Sequence, residues 1–494
     1  VVAAVKNPTS GDIYMGIMGA VDAVLADSGV DRAQIAQAML GTTQCTNAIV
    51  ERKGLAPIAI LRIGAPATVG IPPMVDWADD IAAVCVDALI IEGGFEYDGK
   101  RLAEFDEAAC RAFFEGVRGR VEAVAVSSVF STVRNDDELR AATIAREVLG
   151  EDVHVSISSE IGSMGLIERE NATILNAALY DVARRFTEGF AQSLADKGVV
   201  NAEVYLSQND GTLMTMEHAR RYPILTIACG PTNSIRGASY LSRRDDAIVI
   251  DVGGTTTDLG VLAHGFPRES MVAVEIGDVR TNFRMPDLVS VGLGGGSLVR
   301  QLEDGSVTVG PDSVGYLVTK KARCFGGDTL TATDIVVAKG LAEGVGDPTL
   351  VADLEPALVD AAYAEITRII EDAVDAMKTS AGDVTVILVG GGSILAPDQL
   401  EGSDNVLRPE NFGVANAVGS AIAQVSGQIA KVFSLTETPR EQALAESKQR
   451  ACDEAIEAGA DPSTVEVVDV EDIPMAYLGD ALCIRVKAVG DLML

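Results

Sequence analysis

The stretch AIVIDVGGTTTDLGVL, residues 247–262, places a carboxylate, two glycines and three threonines between two apolar runs. The apolar runs are rich in β-branched residues, which predicts two strands joined by a polar turn. Glycine lets backbone N–H groups approach an anion, threonine hydroxyls add donors, and a strand-end carboxylate can hold hydrated Mg²⁺. The stretch therefore predicts a phosphate-binding hairpin, with an ordinary strand connection as the alternative.

Two more glycine clusters follow strand-like runs in the second half, at 292–297 (GLGGGS) and 390–393 (GGGS). Because the carboxyl ends of strands in an open α/β sheet meet at one crevice, three such loops predict a nucleotide site. Asp251 is assigned to Mg²⁺ through water, while Asp258 either joins the site or only fixes the turn. The residues assigned to the nucleotide are Gly253, Gly254, Thr255, Thr256, Thr257, Asp258, Gly294, Gly295, Gly296, Gly390, Gly391, Gly392 and Ser393.

A further polar cluster, Thr42, Thr43, Thr46 and Asn47, precedes the apolar residues 48–50. Threonine before an apolar run is typical of a helix N-cap, and either Thr43 or Thr46 is the expected cap. A role in catalysis is the alternative, and it depends on the family resemblance described below.

The composition is that of an acidic globular protein, with 48% hydrophobic and 22% charged residues. Asp and Glu number 72 against 39 Lys and Arg, and the resulting net charge of −33 repels nucleic acid. The apolar runs are shorter than the roughly 18 residues that a membrane helix needs. Seven cysteines without a C-x-x-C pair indicate reduced thiols. We therefore expect a soluble, cytoplasmic protein without nucleic-acid or membrane partners.

The elements that position these residues alternate between strands and amphipathic helices along the first half of the chain. This alternation predicts an α/β protein with a mainly parallel sheet and helices on its faces. One long helix is predicted over 171–197, and further helices near 357–378 and 414–432. The charged segment after residue 436 ends in two strand patterns, which predicts a small α/β appendage.

Seven segments resemble the hydantoinase/oxoprolinase family, specifically its ATP-binding subunit of the hydantoinase A type, and they follow the family's order. The segments are 41–54, 158–179, 207–231, 249–262, 291–298, 331–340 and 388–394. The resemblance implies an actin-like ATPase fold (ribonuclease H-like), with duplicated domains around a nucleotide cleft. The expected domains are 1–240, 241–435 and the appendage 436–494. The family's other phosphate hairpin is expected before Val1.

The resemblance also implies a function: an ATP-dependent hydrolase subunit that opens a cyclic amide such as a hydantoin, 5-oxoproline or a lactam. ATP and Mg²⁺ are the implied cofactors, and a second hydantoinase-type subunit in an oligomer is the implied partner. By the same likeness, residues 390–393 lie beside the adenosine, and Thr43 and Asn47 join Asp251 as catalytic residues. Phosphorylation of an amide oxygen needs positioning and charge neutralisation rather than a base, which suits a site rich in Gly, Thr and Asp.

Two alternatives remain open from the sequence. The first is an ATP-dependent carboxylase subunit of the acetone or acetophenone carboxylase type, which would require bicarbonate for ADP formation. The second is a nucleotide-gated binding protein without catalysis, which would bind ATP without stimulation by any small molecule.

Overall fold

The computed structural model describes residues 1–6, 13–270, 274–378, 382–436, 438–475 and 480–493. Its α-helices are α1 (Ile13–Ser28), α2 (Gln44–Glu51), α3 (Asp79–Ala82), α4 (Glu107–Val117), α5 (Asp136–Leu149), α6 (Leu166–Ala178), α7 (Tyr180–Asp196), α8 (Met216–Arg221), α9 (Cys229–Ser242), α10 (Val318–Lys321), α11 (Ala332–Ala338), α12 (Pro356–Met377), α13 (Ala415–Ile422) and α14 (Arg440–Glu457). Its strands are β1 (Gln37–Leu40), β2 (Ile58–Ala65), β3 (Cys85–Glu92), β4 (Ala123–Ser128), β5 (His154–Ile157), β6 (Glu203–Ser207), β7 (Leu213–Thr215), β8 (Ala247–Val252), β9 (Thr257–Ala263), β10 (Phe266–Pro267), β11 (Val274–Ile276), β12 (Val279–Thr281), β13 (Leu288–Val291), β14 (Ser297–Gln301), β15 (Val307–Ser313), β16 (Val384–Val389), β17 (Ser403–Leu407), β18 (Val425–Ser434), β19 (Glu466–Pro474) and β20 (Ala481–Gly490). The protein is therefore α/β, as predicted, and among the described residues no helix is long and apolar enough to cross a bilayer.

Two compact units make up the chain, and each is assembled from separate stretches of sequence. Unit 1 comprises Val1–Gln34, Gly230–Glu269 and Pro286–Ile422, and unit 2 comprises Ile35–Cys229, Ser270–Met285 and Ala423–Leu494. The predicted boundaries at residues 240 and 435 do not coincide with the limits of these units, because segments distant in sequence pair in the same sheets.

Unit 2 contains a four-stranded parallel sheet in the order β3-β2-β4-β5. One face of β2 packs Leu61 and Ile63 against α4 and α5, and the other packs Ile58 and Ile60 against α6. A strand covered on both faces has no solvent side, which explains its nearly continuous apolar sequence. The parallel sheet predicted for the first half of the chain is confirmed.

A second sheet of unit 2 has the strand order β1-β6-β7-β18-β20-β19. Strand β1 pairs with β6, and β18 joins β7 to β20. Helix α14 packs on β18 and β20 through an apolar cluster that includes Phe433 and Ala451. The residues predicted as a separate C-terminal appendage instead complete a sheet that begins with residues 37–40.

The main sheet of unit 1 has the order β10-β9-β8-β16-β17, and β13 pairs with β9 as well. Strand β8 is covered on both faces: Ile248 and Ile250 face the core of α11 and α12, and Val249 faces α9 and α13. Side chains alternate along a strand, so Asp251 lies on the α9 side.

Two helix predictions were wrong in extent. The helix predicted over 171–197 is divided at Leu179 into α6 and α7. The carbonyl of Ala178 accepts a hydrogen bond from Ala56 N–H at 2.8 Å, which removes an acceptor from the helical ladder at that point.

The helix predicted near 414–432 ends at Ile422, and β18 begins at Val425. Gly427 in this strand approaches helix α14 so closely that a Cβ there would overlap Ala451 O and Ala455 N. The close approach of strand to helix requires glycine at this position and is not visible in the local sequence.

Candidate phosphate-binding site

The predicted phosphate hairpin is formed by β8 and β9 in unit 1, with residues 253–256 as the turn. Gly253 N–H donates to Thr256 O at 2.9 Å and closes the turn. Strand β16 runs parallel to β8, with Val389 opposite Asp251. The glycine loop that follows β16 therefore lies beside the end of β8.

The tip of the hairpin presents a row of backbone donors to solvent. Gly254, Thr255 and Thr256 are exposed, and within the described residues no acceptor bonds to their N–H groups. Consecutive N–H groups with no acceptor, next to threonine hydroxyls, are the donor set that binds a phosphate. The anion site predicted at these three residues stays a prediction, which this arrangement supports.

Asp251 is the penultimate residue of strand β8, beside the tip. Its Oδ2 accepts a hydrogen bond from Ser234 Oγ at 2.5 Å, and Ser234 lies on α9. The other oxygen, Oδ1, faces Gly390, where a Cβ would overlap it. Burial raises the pKa of Asp251, while the Ser234 hydrogen bond and the charge of Lys6 act in the opposite direction.

Asp258 lies directly opposite Asp251 in the hairpin register, and Ser290 of β13 lies opposite Asp258. Burial raises the pKa of Asp258, a hydrogen bond from Ser290 lowers it, and the neighbouring Asp251 charge raises it further. The hydrogen bond to a residue of the adjacent strand is what a turn-fixing role for Asp258 would require, and its assignment to the nucleotide site stays a prediction.

The glycines at 294–296 use their backbone N–H groups within the fold. Gly294 N–H donates to Ser297 Oγ, and Gly295 and Gly296 donate to the carbonyls of Gly253 and Gly254. Their N–H groups thus support the hairpin, and the predicted nucleotide role of these glycines stays a prediction.

Thr257 is also engaged within the fold. It is buried, and its Oγ1 donates to Leu293 O at 2.7 Å. Its hydroxyl holds the 292–297 loop against the hairpin, and the predicted phosphate contact of Thr257 stays a prediction.

The loop at 390–393 connects to the hairpin through Gly392 N–H, which donates to Val252 O at 2.8 Å. Gly390 has a φ of +84°, and a Cβ there would lie 2.5 Å from Val252 O. Gly391 is exposed, and Ser393 Oγ is buried without a hydrogen-bond partner among the described residues. The loop therefore brings one exposed glycine and one unsatisfied hydroxyl to the edge of the hairpin.

Thr43 and Asn47, the other two predicted catalytic residues, belong to unit 2. Thr43 is the N-cap residue of α2, but its side chain makes no capping bond; instead Asn47 Nδ2 donates to Thr43 Oγ1 at 3.4 Å. Thr43 thus occupies the predicted cap position, while the predicted catalytic role of both residues stays a prediction.

The residue that sequence reasoning missed is Ser234. It sits inside the segment CGPTNSIRGA as an ordinary helical serine, with no spacing that relates it to Asp251. Only the packing of α9 on the sheet brings the two side chains together.

Two protein-family models match this chain. Residues 1–149 match the model of the hydantoinase/oxoprolinase N-terminal region, and residues 169–344 match the hydantoinase/oxoprolinase model. The caprolactamase alpha subunit of Pseudomonas jessenii is 27% identical over 341 residues, which are 67% of this chain and 47% of the relative. The acetophenone carboxylase gamma subunit of Aromatoleum aromaticum is 24% identical over 387 residues, 68% of this chain and 50% of the relative. The chain spans about half the length of these curated relatives.

Two solved structures share the fold. The ATP-dependent caprolactamase from Pseudomonas jessenii matches with a TM-score of 0.75 and 18% identity, over 99% of this chain and 84% of that one. Nucleotide-free acetone carboxylase matches with a TM-score of 0.66 and 17% identity, over the same shares of 99% and 84%. Since the family models cover more than half of its residues, the chain belongs to the hydantoinase/oxoprolinase family.

Proposed function

We propose that this chain is the ATP-binding subunit of an enzyme that opens a cyclic amide by phosphorylating the amide oxygen. The observation that carries the proposal is the row of acceptor-free N–H groups at Gly254, Thr255 and Thr256, adjacent to the Asp251 carboxylate. A single carboxylate and several backbone donors suit a phosphate chain accompanied by a hydrated cation.

The residues present fit Mg-ATP at this place. The hairpin tip would hold phosphate oxygens, and Asp251 Oδ1 would hold Mg²⁺ through water. Ser393, whose buried hydroxyl has no partner among the described residues, and Gly391 would lie toward the nucleoside. The bound cation would neutralise charge on the phosphates.

The proposed phosphorylation step needs no general base. An amide oxygen carries no proton, so its attack on phosphorus with loss of ADP requires positioning rather than proton removal. Water then adds to the activated carbon, and the ring C–N bond breaks to give an amine and an acyl phosphate. A second water hydrolyses the acyl phosphate to a carboxylate and free phosphate. The caprolactamase alpha subunit among the relatives supports a lactam or a similar cyclic amide as the substrate.

A partner subunit is part of the proposal, because the relatives are named alpha and gamma subunits. We place the water-addition step with that partner. The actin-like fold and the catalytic roles of Thr43 and Asn47 are likewise proposed on family likeness.

Carboxylation is the second candidate, supported by the likeness to an acetophenone carboxylase gamma subunit. In that case the phosphorylated group would be a ketone enolate or bicarbonate, and ADP formation would depend on bicarbonate.

The test is ADP release with hydantoin, 5-oxoproline and simple lactams, each with and without bicarbonate. Asp251→Ala is the loss variant, and Asp304→Ala, at an exposed turn of the same unit, is its control. Lactam-stimulated ADP release that only Asp251→Ala abolishes supports amide activation. Strict bicarbonate dependence moves the assignment to carboxylation, and ring opening by the chain alone contradicts the proposed partner.

A further inference from the structure

The Asp251 carboxylate is held on one side by a hydroxyl whose own orientation is fixed. Ser234 is 1% exposed, and its Oγ donates to Asp251 Oδ2. Asn416 Nδ2 lies 3.4 Å from the same Oγ and also donates to Gly230 O at 2.8 Å. A hydroxyl has one proton, so the amide donor on its acceptor side directs that proton to Asp251.

The position of Ser234 is set by the packing of two helices rather than by Asp251. Helix α9 carries Ser234 and helix α13 carries Asn416, and they cross at glycines. A Cβ on Gly237 would overlap Ala415 O, and a Cβ on Gly419 would overlap Asn233 O. Backbones in direct contact leave little freedom, so Ser234 is a rigid anchor.

The second oxygen of Asp251 has no such anchor. Oδ1 faces the backbone of Gly390, and no donor among the described residues bonds to it. The terminal torsion of an aspartate is broad, so a carboxylate held by neither oxygen would rotate. The Ser234 hydrogen bond removes that freedom.

We propose that Ser234 is a positioning residue that presents Asp251 Oδ1 to the hydrated Mg²⁺ of the bound nucleotide. The inference rests on the proposed function and extends it, since it says which part of nucleotide binding Ser234 controls. Ser234 sets the gain in ATP affinity that Mg²⁺ provides, and it does not set the affinity for metal-free ATP, which the hairpin tip determines.

The experiment measures the affinity of the chain for ATP by isothermal titration calorimetry, once with excess Mg²⁺ and once with EDTA. The variants are Ser234→Ala, Asn416→Ala and, as a control on the same helix, Ser239→Ala, whose hydroxyl bonds to Arg244 O. Removing a charge-assisted hydrogen bond is expected to reduce the Mg²⁺-dependent gain about tenfold in Ser234→Ala. Asn416→Ala reduces it less, and Ser239→Ala leaves it unchanged.

The outcomes separate this inference from the function on which it rests. If Mg²⁺ increases the ATP affinity of Ser234→Ala as much as that of the wild type, the inference alone is overturned. It is also overturned if the variant loses affinity equally for metal-free ATP and for Mg-ATP, because an equal loss indicates a merely structural role. If Ser234→Ala fails to fold, the same comparison is made with Asn416→Ala. Failure of the unsubstituted chain to bind ATP in either condition overturns both the proposed function and the inference.

Discussion

Asp251 and Asp258 are register partners across the β8–β9 hairpin, yet their carboxylates are bonded to different elements. Asp251 accepts from Ser234 on α9, and Asp258 is paired with Ser290 on β13. Two like charges on neighbouring strands repel one another, so each needs its own donor. The arrangement leaves Asp251 Oδ1 without a hydrogen-bond donor among the described residues, while Asp258 is bonded to the neighbouring strand.

The approach of Gly390 to Asp251 predicts a position that tolerates no side chain. Gly390→Ala would suffer both the strain of φ +84° and overlap with Asp251 Oδ1. Gly305→Ala is the matched control, because Gly305 has φ +86° and nothing within 4 Å of a Cβ. Chemical denaturation should show Gly390→Ala about 2 kcal/mol less stable than Gly305→Ala. Equal stability of the two variants would mean that the loop does not pack on Asp251.

The crossing of α9 and α13 predicts a second intolerant glycine. Gly419→Ala inserts a methyl into the carbonyl of Asn233, whereas Gly413→Ala meets nothing within 4 Å. We expect Gly419→Ala to lower the free energy of unfolding by about 3 kcal/mol and Gly413→Ala by much less. Thermal unfolding followed by circular dichroism checks this, and near-wild-type stability of Gly419→Ala would refute the close crossing.

Asp210 in unit 2 predicts a loss of stability in acid. Burial opposes its ionisation, but Lys487 at 2.9 Å and the Thr212 donors outweigh burial and hold its pKa at about 2. A lowered folded-state pKa contributes stability above the unfolded value of about 3.9, which is lost as the pH falls toward 2. The stability advantage of the wild type over Asp210→Asn should shrink by about 2 kcal/mol between pH 5 and pH 2. Urea unfolding at both pH values measures it, and a constant advantage contradicts the assignment.

The hydroxyls at the hairpin tip predict a binding defect without a folding defect. Thr255→Ala combined with Thr256→Ala removes two exposed donors and should weaken ATP binding about tenfold. Thr319→Ala, an exposed threonine of unit 1, is the control. The unfolding midpoint should be the same for all three proteins. Undiminished ATP affinity in the double variant would place the phosphates elsewhere.

The sequence predicted the hairpin itself because its signals are local. β-branched runs on either side of glycines specify two strands and a turn, and Asp251 to Thr256 occupy the predicted places. The parallel sheet of unit 2 was predictable for the same reason, since strands and helices alternate there at their own periods.

The contacts that the sequence did not predict involve partners far away in sequence. Gly295 and Gly296 resemble phosphate glycines, but the carbonyls of Gly253 and Gly254 use their N–H groups. The break at Leu179 follows from a bond that Ala56 donates to the helix. No local pattern encodes such contacts, because only tertiary packing creates them.

Amide hydrogen–deuterium exchange with and without Mg-ATP tests the central claim most directly. The N–H groups of Gly254, Thr255 and Thr256 have no acceptor among the described residues, so they should exchange rapidly in the free protein. We expect bound ATP to slow exchange at these three residues and to leave Gly295 and Gly296, which are already hydrogen-bonded, unchanged. Saturating ATP that leaves the exchange of all three residues unaltered would contradict a phosphate site at the hairpin.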